Sequence, residues 1–143
     1  MFDTTHLHPM MVHFPIALLV LGFFAELLGI ACKKQVYMPN ISLYLQITGT
    51  LGAIAAVITG NFFTLEVKGA AEEILETHEN FANITMWIMI VATALRLFLI
   101  YKKKEEGPLK WFVFALYGLG TLSVLATGFY GGTLVYDYFI GGF

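Results

Sequence analysis

Charged residues are scarce, 13% of 143 against the roughly 25% of an average soluble domain. The 8 Lys+Arg and 10 Asp+Glu leave a formal charge of −2, so no basic surface exists for nucleic acid. One cysteine, Cys32, excludes an intramolecular disulfide, and without a C-x-x-C-H run no haem can be attached covalently. H-E-x-x-H, G-x-S-x-G and P-loop patterns are missing, which leaves no recognisable catalytic set. No Lys or Arg precedes the first apolar segment, so it lacks the basic flank of a cleaved signal and reads as a permanent helix.

Apolar sequence is plentiful. Hydrophobic residues make up 58% of the chain, and a mean hydropathy of +0.76 over its whole length marks a membrane protein of one unit. Runs long enough to cross a bilayer, about 20 residues, cover 12–32, 41–65, 81–101 and 109–135. Lys33-Lys34 with Pro39-Asn40, a glutamate-rich stretch over 66–80, and Lys102-Lys103-Lys104 with Gly107-Pro108 break them. Short connections make successive helices antiparallel neighbours, which predicts an all-α, integral membrane, four-helix up-down bundle.

Basic residues set the expected orientation. Lys33, Lys34, Lys102, Lys103, Lys104 and Lys110 fall in the first and third connections, and only Lys68 in the second. The positive-inside rule places both termini outside, periplasmic in a bacterial inner membrane. Glu72, Glu73, Glu76 and Glu79 then form a solvated lead-in to the third helix.

The second and fourth helices read alike at an offset of 68 residues: Gly52, Thr59, Gly60 and Phe62 meet Gly120, Thr127, Gly128 and Tyr130. The first and third align more loosely at 70, His8 with His78 and Glu26 with Arg96. Two repeated helical hairpins would be related by an axis along the membrane normal. The glycine faces suit close helix packing and equally leave room for a flat cofactor. Glu26 and Arg96 lie at equal depth, and mutual neutralisation is the expected state of two charges in hydrocarbon.

All four histidines, His6, His8, His13 and His78, fall at the predicted outer end. Pro15, one turn beyond Pro9, implies that the first helix either starts near Phe14 or kinks there, turning His13 inward. The run HPMMVHFPIALLVLG resembles the opening, H-P-x-x-V-H-F-P-I-A-L, of a family of small four-helix bacterial membrane proteins of unassigned function. A histidine at the start of the third helix, matched by His78, and the glycine-rich end Gly131-Gly132-Thr133-Leu134-Val135-Tyr136 extend the likeness over most of the chain. Relatives of that family occur fused to Rieske iron-sulfur or cytochrome c modules. The resemblance implies a redox setting, with His8, His13 and His78 as the functional residues and His6 outside the motif.

Neutral imidazoles from facing helices can supply both axial ligands of a haem b, giving six-coordinate iron suited to electron transfer. The expected ligands are His13 and His78, because His13 lies deeper than His8; the repeat instead pairs His8 with His78. Lys68 is a candidate for a haem propionate. The alternatives are a copper or zinc site built from His6, His8, His13, Met10 and Met11, or a small structural subunit of a larger membrane redox complex. A quinone pocket using histidine with Tyr136 or Asp137 stays open, as does a homodimer. The chain reads as an electron carrier or subunit in contact with lipid and a redox protein, rather than a stand-alone enzyme.

Overall fold

The structure is a computed structural model that describes residues 7–32, 36–63 and 68–138. His6 lies outside them. Four helices follow one another: α1 (Leu7–Ala31), α2 (Met38–Phe63), α3 (Ala70–Tyr101) and α4 (Pro108–Tyr136). All four are long and apolar enough to cross a membrane, and the described residues contain no strand. α1 packs chiefly on α2 and α3 on α4, and the two hairpins close a ring through α2–α3 and α1–α4.

Polarity runs inside out relative to a soluble protein. Ser42, Gln46, Thr50, Thr85, Thr93 and Thr127 are buried, whereas Phe14, Leu21, Phe24, Trp87 and Phe98 are exposed. Lipid is as apolar as a leucine side chain, so burying leucine between helices gains little, whereas hydroxyls need partners inside. They find them locally and across helices: Thr50 and Thr93 share a hydrogen bond of 2.9 Å, and Thr85 donates to Ser123 at 2.8 Å.

Two helices begin more than a turn earlier than the hydropathy suggests. α1 starts at Leu7 instead of 12 and continues through Pro15, so the start near Phe14 does not occur. The Pro15 ring is accommodated by Gly52, where a Cβ would lie 3.3 Å from Pro15 Cδ. α3 starts at Ala70 instead of 81, with Glu72 and Glu73 in its first turn, where carboxylates complement the unpaired N–H groups. Gly69 and Gly107 stand just ahead of α3 and α4 with φ of 87° and 123°, values that a side chain disfavours.

The repeat is visible in the packing. α1 and α3 are diagonal in the bundle, yet side chains at offset 70 meet across it: Arg96 Nη2 donates to Glu26 Oε2 at 2.6 Å, and the His8 and His78 rings approach one another at the other end. Neighbouring interfaces correspond as well. Phe23 touches the Gly118 position, and their counterparts Thr93 and Thr50 form the hydrogen bond above. Between the two ends Leu19, Met89, Val124 and the Tyr117 ring form an apolar layer. The pairing expected for Glu26 and Arg96 is thus formed, with Arg96 Nη1 also donating to Gln46 Oε1 at 2.7 Å and to Ser42 Oγ at 3.1 Å.

Candidate functional site: a histidine pair over an apolar cavity

His78 sits two turns into α3 and is 8% exposed. Its Nδ1 lies 2.9 Å from the Thr127 carbonyl oxygen. A carbonyl only accepts, so Nδ1 carries the proton and Nε2 holds the lone pair. His8, in the first turn of α1, is half-buried, with Nδ1 3.3 Å from Thr59 Oγ1. The Thr59 hydroxyl is already directed to the Ala55 and Ala56 carbonyls at 2.9 and 3.0 Å, which makes the His8 nitrogen the donor. Both rings adopt the same tautomer. Their partners are counterparts in the repeat, Thr59 in α2 and Thr127 in α4.

The ring centroids are 6.2 Å apart and the planes cross at 86°. Glycines lie against both rings: a Cβ at Gly60 would come within 3.0 Å of His8 Cε1, and one at Gly131 within 3.1 Å of His78 Cε1. His8 lies ahead of the apolar span Met10–Ala31, and its pKa is lowered, first by desolvation and then by the neighbouring His78. Both effects favour the neutral ring.

A cavity of about 360 Å³ opens beside the pair, within the size range of small-molecule and cofactor sites. Residues from all four helices line it, the small ones Ala53, Ala56, Ala82, Gly128 and Gly131 from α2, α3 and α4, with Asn61, Asn83, Glu79 and Tyr136 supplying polarity. His13 also lines the cavity but is exposed. The structure therefore brings His8 and His78 together, the partnership given by the repeat, and leaves the preferred His13 at the rim. The reason is the early start of α1, which carries His8 into the bundle as a helical residue.

Several other anticipated groups stand apart. Met10 is 66% exposed, and neither it nor Met11 lines the cavity. Lys68 is exposed ahead of α3 and does not line it; Asp137 caps α4 and is likewise outside. Among the described residues no three His, Cys, Asp or Glu side chains are grouped as metal ligands would be. In the sequence Thr59 and Thr127 stand out only as members of the repeat. The two correspond at the offset of 68, as His8 and His78 do at 70, so each histidine meets the equivalent position of its neighbouring helix.

A sequence pattern for a described family matches residues 4–142, nearly the whole chain. The chain belongs to the family of predicted membrane proteins DUF2231. That assignment agrees with the four apolar helices and carries no stated activity. No curated protein and no solved structure matches the chain.

Proposed function

We propose that this DUF2231 protein is a membrane electron carrier that holds one haem b between His8 and His78. The observation that carries the reading is the separation of the two rings. An imidazole nitrogen lies about 1.1 Å from its ring centre and metal–imidazole bonds are about 2.0–2.1 Å, so two imidazoles on opposite sides of one metal have centroids about 6.3 Å apart. The observed 6.2 Å agrees. Each ring also donates its other nitrogen to a protein oxygen, the arrangement that fixes the tautomer and orientation of metal-bound histidines.

The surroundings fit a flat, apolar group. Glycine and alanine leave the cavity free of side-chain bulk between the hairpins, and its lining is mostly apolar. When bound, a bis-histidine haem supplies one-electron transfer without an open coordination position. The chain's own contribution is to hold two neutral imidazoles at fixed separation, exclude water with Val12, Ile16 and Val124, and present the site at one membrane face. The exposure of Met10 removes a soft ligand from a copper site and favours haem over copper.

Orientation follows the lysines. With Lys33, Lys34 and Lys102 to Lys104 cytoplasmic, both termini and the histidine pair face the periplasm of a bacterial inner membrane, where a periplasmic or membrane redox protein would exchange electrons. Protein purified from haem-supplemented cells should show a Soret band and a pyridine haemochrome of b type. His8→Ala should weaken haem retention and His78→Ala abolish it, with His6→Ala and His13→Ala retaining it. Copper or zinc in the purified protein without a Soret band would overturn the proposal.

A further inference from the structure

We infer that the turn between α3 and α4 is a binding surface for anionic phospholipid, and that Lys103 is held there in a backbone conformation that serves the headgroup contact and not the fold. The inference is independent of any cofactor at the histidine pair.

α3 ends at Tyr101 and α4 begins at Pro108, so the turn lies just outside two apolar spans, at the depth of lipid headgroups. It closes with paired hydrogen bonds: the Lys103 N–H donates to the Ile100 carbonyl at 3.0 Å and the Lys104 N–H to the Leu99 carbonyl at 2.9 Å. That closure takes a left-handed residue at position 103, and Lys103 has a φ of 53°. Glycine adopts this conformation without steric cost, whereas lysine does not. Among the described residues the other positive-φ positions are Gly69 and Gly107, so only here does a side chain stand where the backbone favours none. A residue held against its backbone preference argues for a use of its side chain.

Charge and aromatic placement define that use. Residues 102–110 are exposed, and Lys102, Lys103, Lys104 and Lys110 bring four ammonium groups to this end of the bundle. Glu105 and Glu106 lie in the same turn, and Glu105 shares with Lys110 the lining of a cavity of about 120 Å³; the turn is still two charges positive. Among the described residues none of these lysines forms an ion pair. Lys102 Nζ instead lies over the Phe98 and Tyr101 rings, 5.9 and 5.3 Å from their centroids. Tyr101 and Trp111 are 79% and 55% exposed, rings of the kind that settle at the headgroup level, and ammonium groups beside them attract lipid phosphates. An acidic soluble protein would use the charges and not the lipid-facing rings. A zwitterionic lipid would use the rings and not the net charge. Anionic phospholipid uses both.

Trp111, next to Lys110, is the reporter. In a Trp87→Phe background it is the sole tryptophan. Full-length protein is reconstituted in vesicles of phosphatidylcholine and phosphatidylglycerol, with one lipid or the other carrying brominated chains that quench the indole on contact. Phosphatidylglycerol should be preferred at Trp111 by about fivefold or more, the factor that one lysine near the surface contributes. Lys103→Gly should cut the preference severalfold, Lys103→Arg should preserve it, and Lys68→Gln, at the other end of the bundle, should leave it unchanged. In phosphatidylcholine Lys103→Gly should also resist SDS unfolding better than wild type, because the backbone strain is relieved, and in phosphatidylglycerol that advantage should shrink or reverse. Equal quenching by the two lipids in wild type, a preference that survives Lys103→Gly, or the same stability gain in both lipids would overturn the inference. None of these outcomes bears on the haem reading, which the Soret band tests separately.

Discussion

Arg96 joins three helices at the end of the bundle opposite the histidines, and removing its ionic partner should show how much of the fold depends on that junction. Both side chains are 13% exposed, and truncating one member of a buried ion pair destabilises by about 3–5 kcal/mol. The two truncations are not equivalent. In Glu26→Gln the guanidinium keeps Ser42 Oγ, Gln46 Oε1 and the Pro39 carbonyl at 2.7–3.1 Å, so the expected loss is smaller, about 1–3 kcal/mol. Arg96→Gln breaks all four contacts and leaves an acid in hydrocarbon; about 3–5 kcal/mol is expected. Neutral interhelical hydrogen bonds in membranes couple by about 0.6 kcal/mol on average. An ionic pair at 2.6 Å should exceed that, with a coupling of about 1–3 kcal/mol. Unfolding of the purified protein in mixed micelles of rising SDS fraction, measured for both single variants and the double variant, gives this number. Additivity to within about 0.5 kcal/mol would refute the reasoning, for it would mean that each charge is solvated independently.

Gly131→Ala should perturb the site more than Gly60→Ala. Each new Cβ would crowd a histidine at 3.0–3.1 Å, but His8 can yield in its first helical turn and His78 cannot, so haem retention should fall mainly in the former variant. In a Cys32→Ser background, a cysteine replacing Ala70 should react with an impermeant maleimide from the periplasm and one replacing Lys104 should not; the opposite pattern would invert the topology. Because the His8 pKa lies below its ordinary value of 6.5, the unfolded chain takes up a proton before the folded one does. Stability of the cofactor-free protein should therefore be full above pH 6.5, decline as pH falls through that value, and level off below the folded pKa; urea or SDS titrations at several pH values measure it. His8→Gln should lessen this dependence.

Long apolar runs separated by lysines and glycines made the four helices legible, because the period and length of such runs admit few other structures in lipid. Helix starts were less legible. Residues 70–80 are too acidic to count as membrane sequence, yet a helix can continue into water, and α3 does so. The same difficulty hid His8: hydropathy placed it before the first helix, whereas the backbone is helical from Leu7 and carries the ring into the bundle. Depth along the chain then argued for His13, a criterion that ignores which way a side chain points. His8 and His13 are five residues apart, about 140° around the helix, so both border the cavity while only His8 meets the His78 ring. Two weak sequence signals were better guides. The offset of 70 that aligned His8 with His78 also aligned Glu26 with Arg96, and both pairs meet across the diagonal because a two-fold axis brings counterpart positions together. The hydrogen bonds that orient the rings lay beyond sequence reading, since one acceptor is the Thr127 backbone carbonyl and residue identity does not specify it.

Electron paramagnetic resonance of the oxidised, haem-loaded protein tests the central claim most directly, because the low-spin signal reports both the number of imidazole ligands and the angle between their planes. Rings crossing at 86° predict a highly anisotropic low-spin spectrum dominated by a single low-field feature, present in wild type and lost in His78→Ala. A wild-type protein without low-spin haem, or a signal that survives in His78→Ala, would contradict the account.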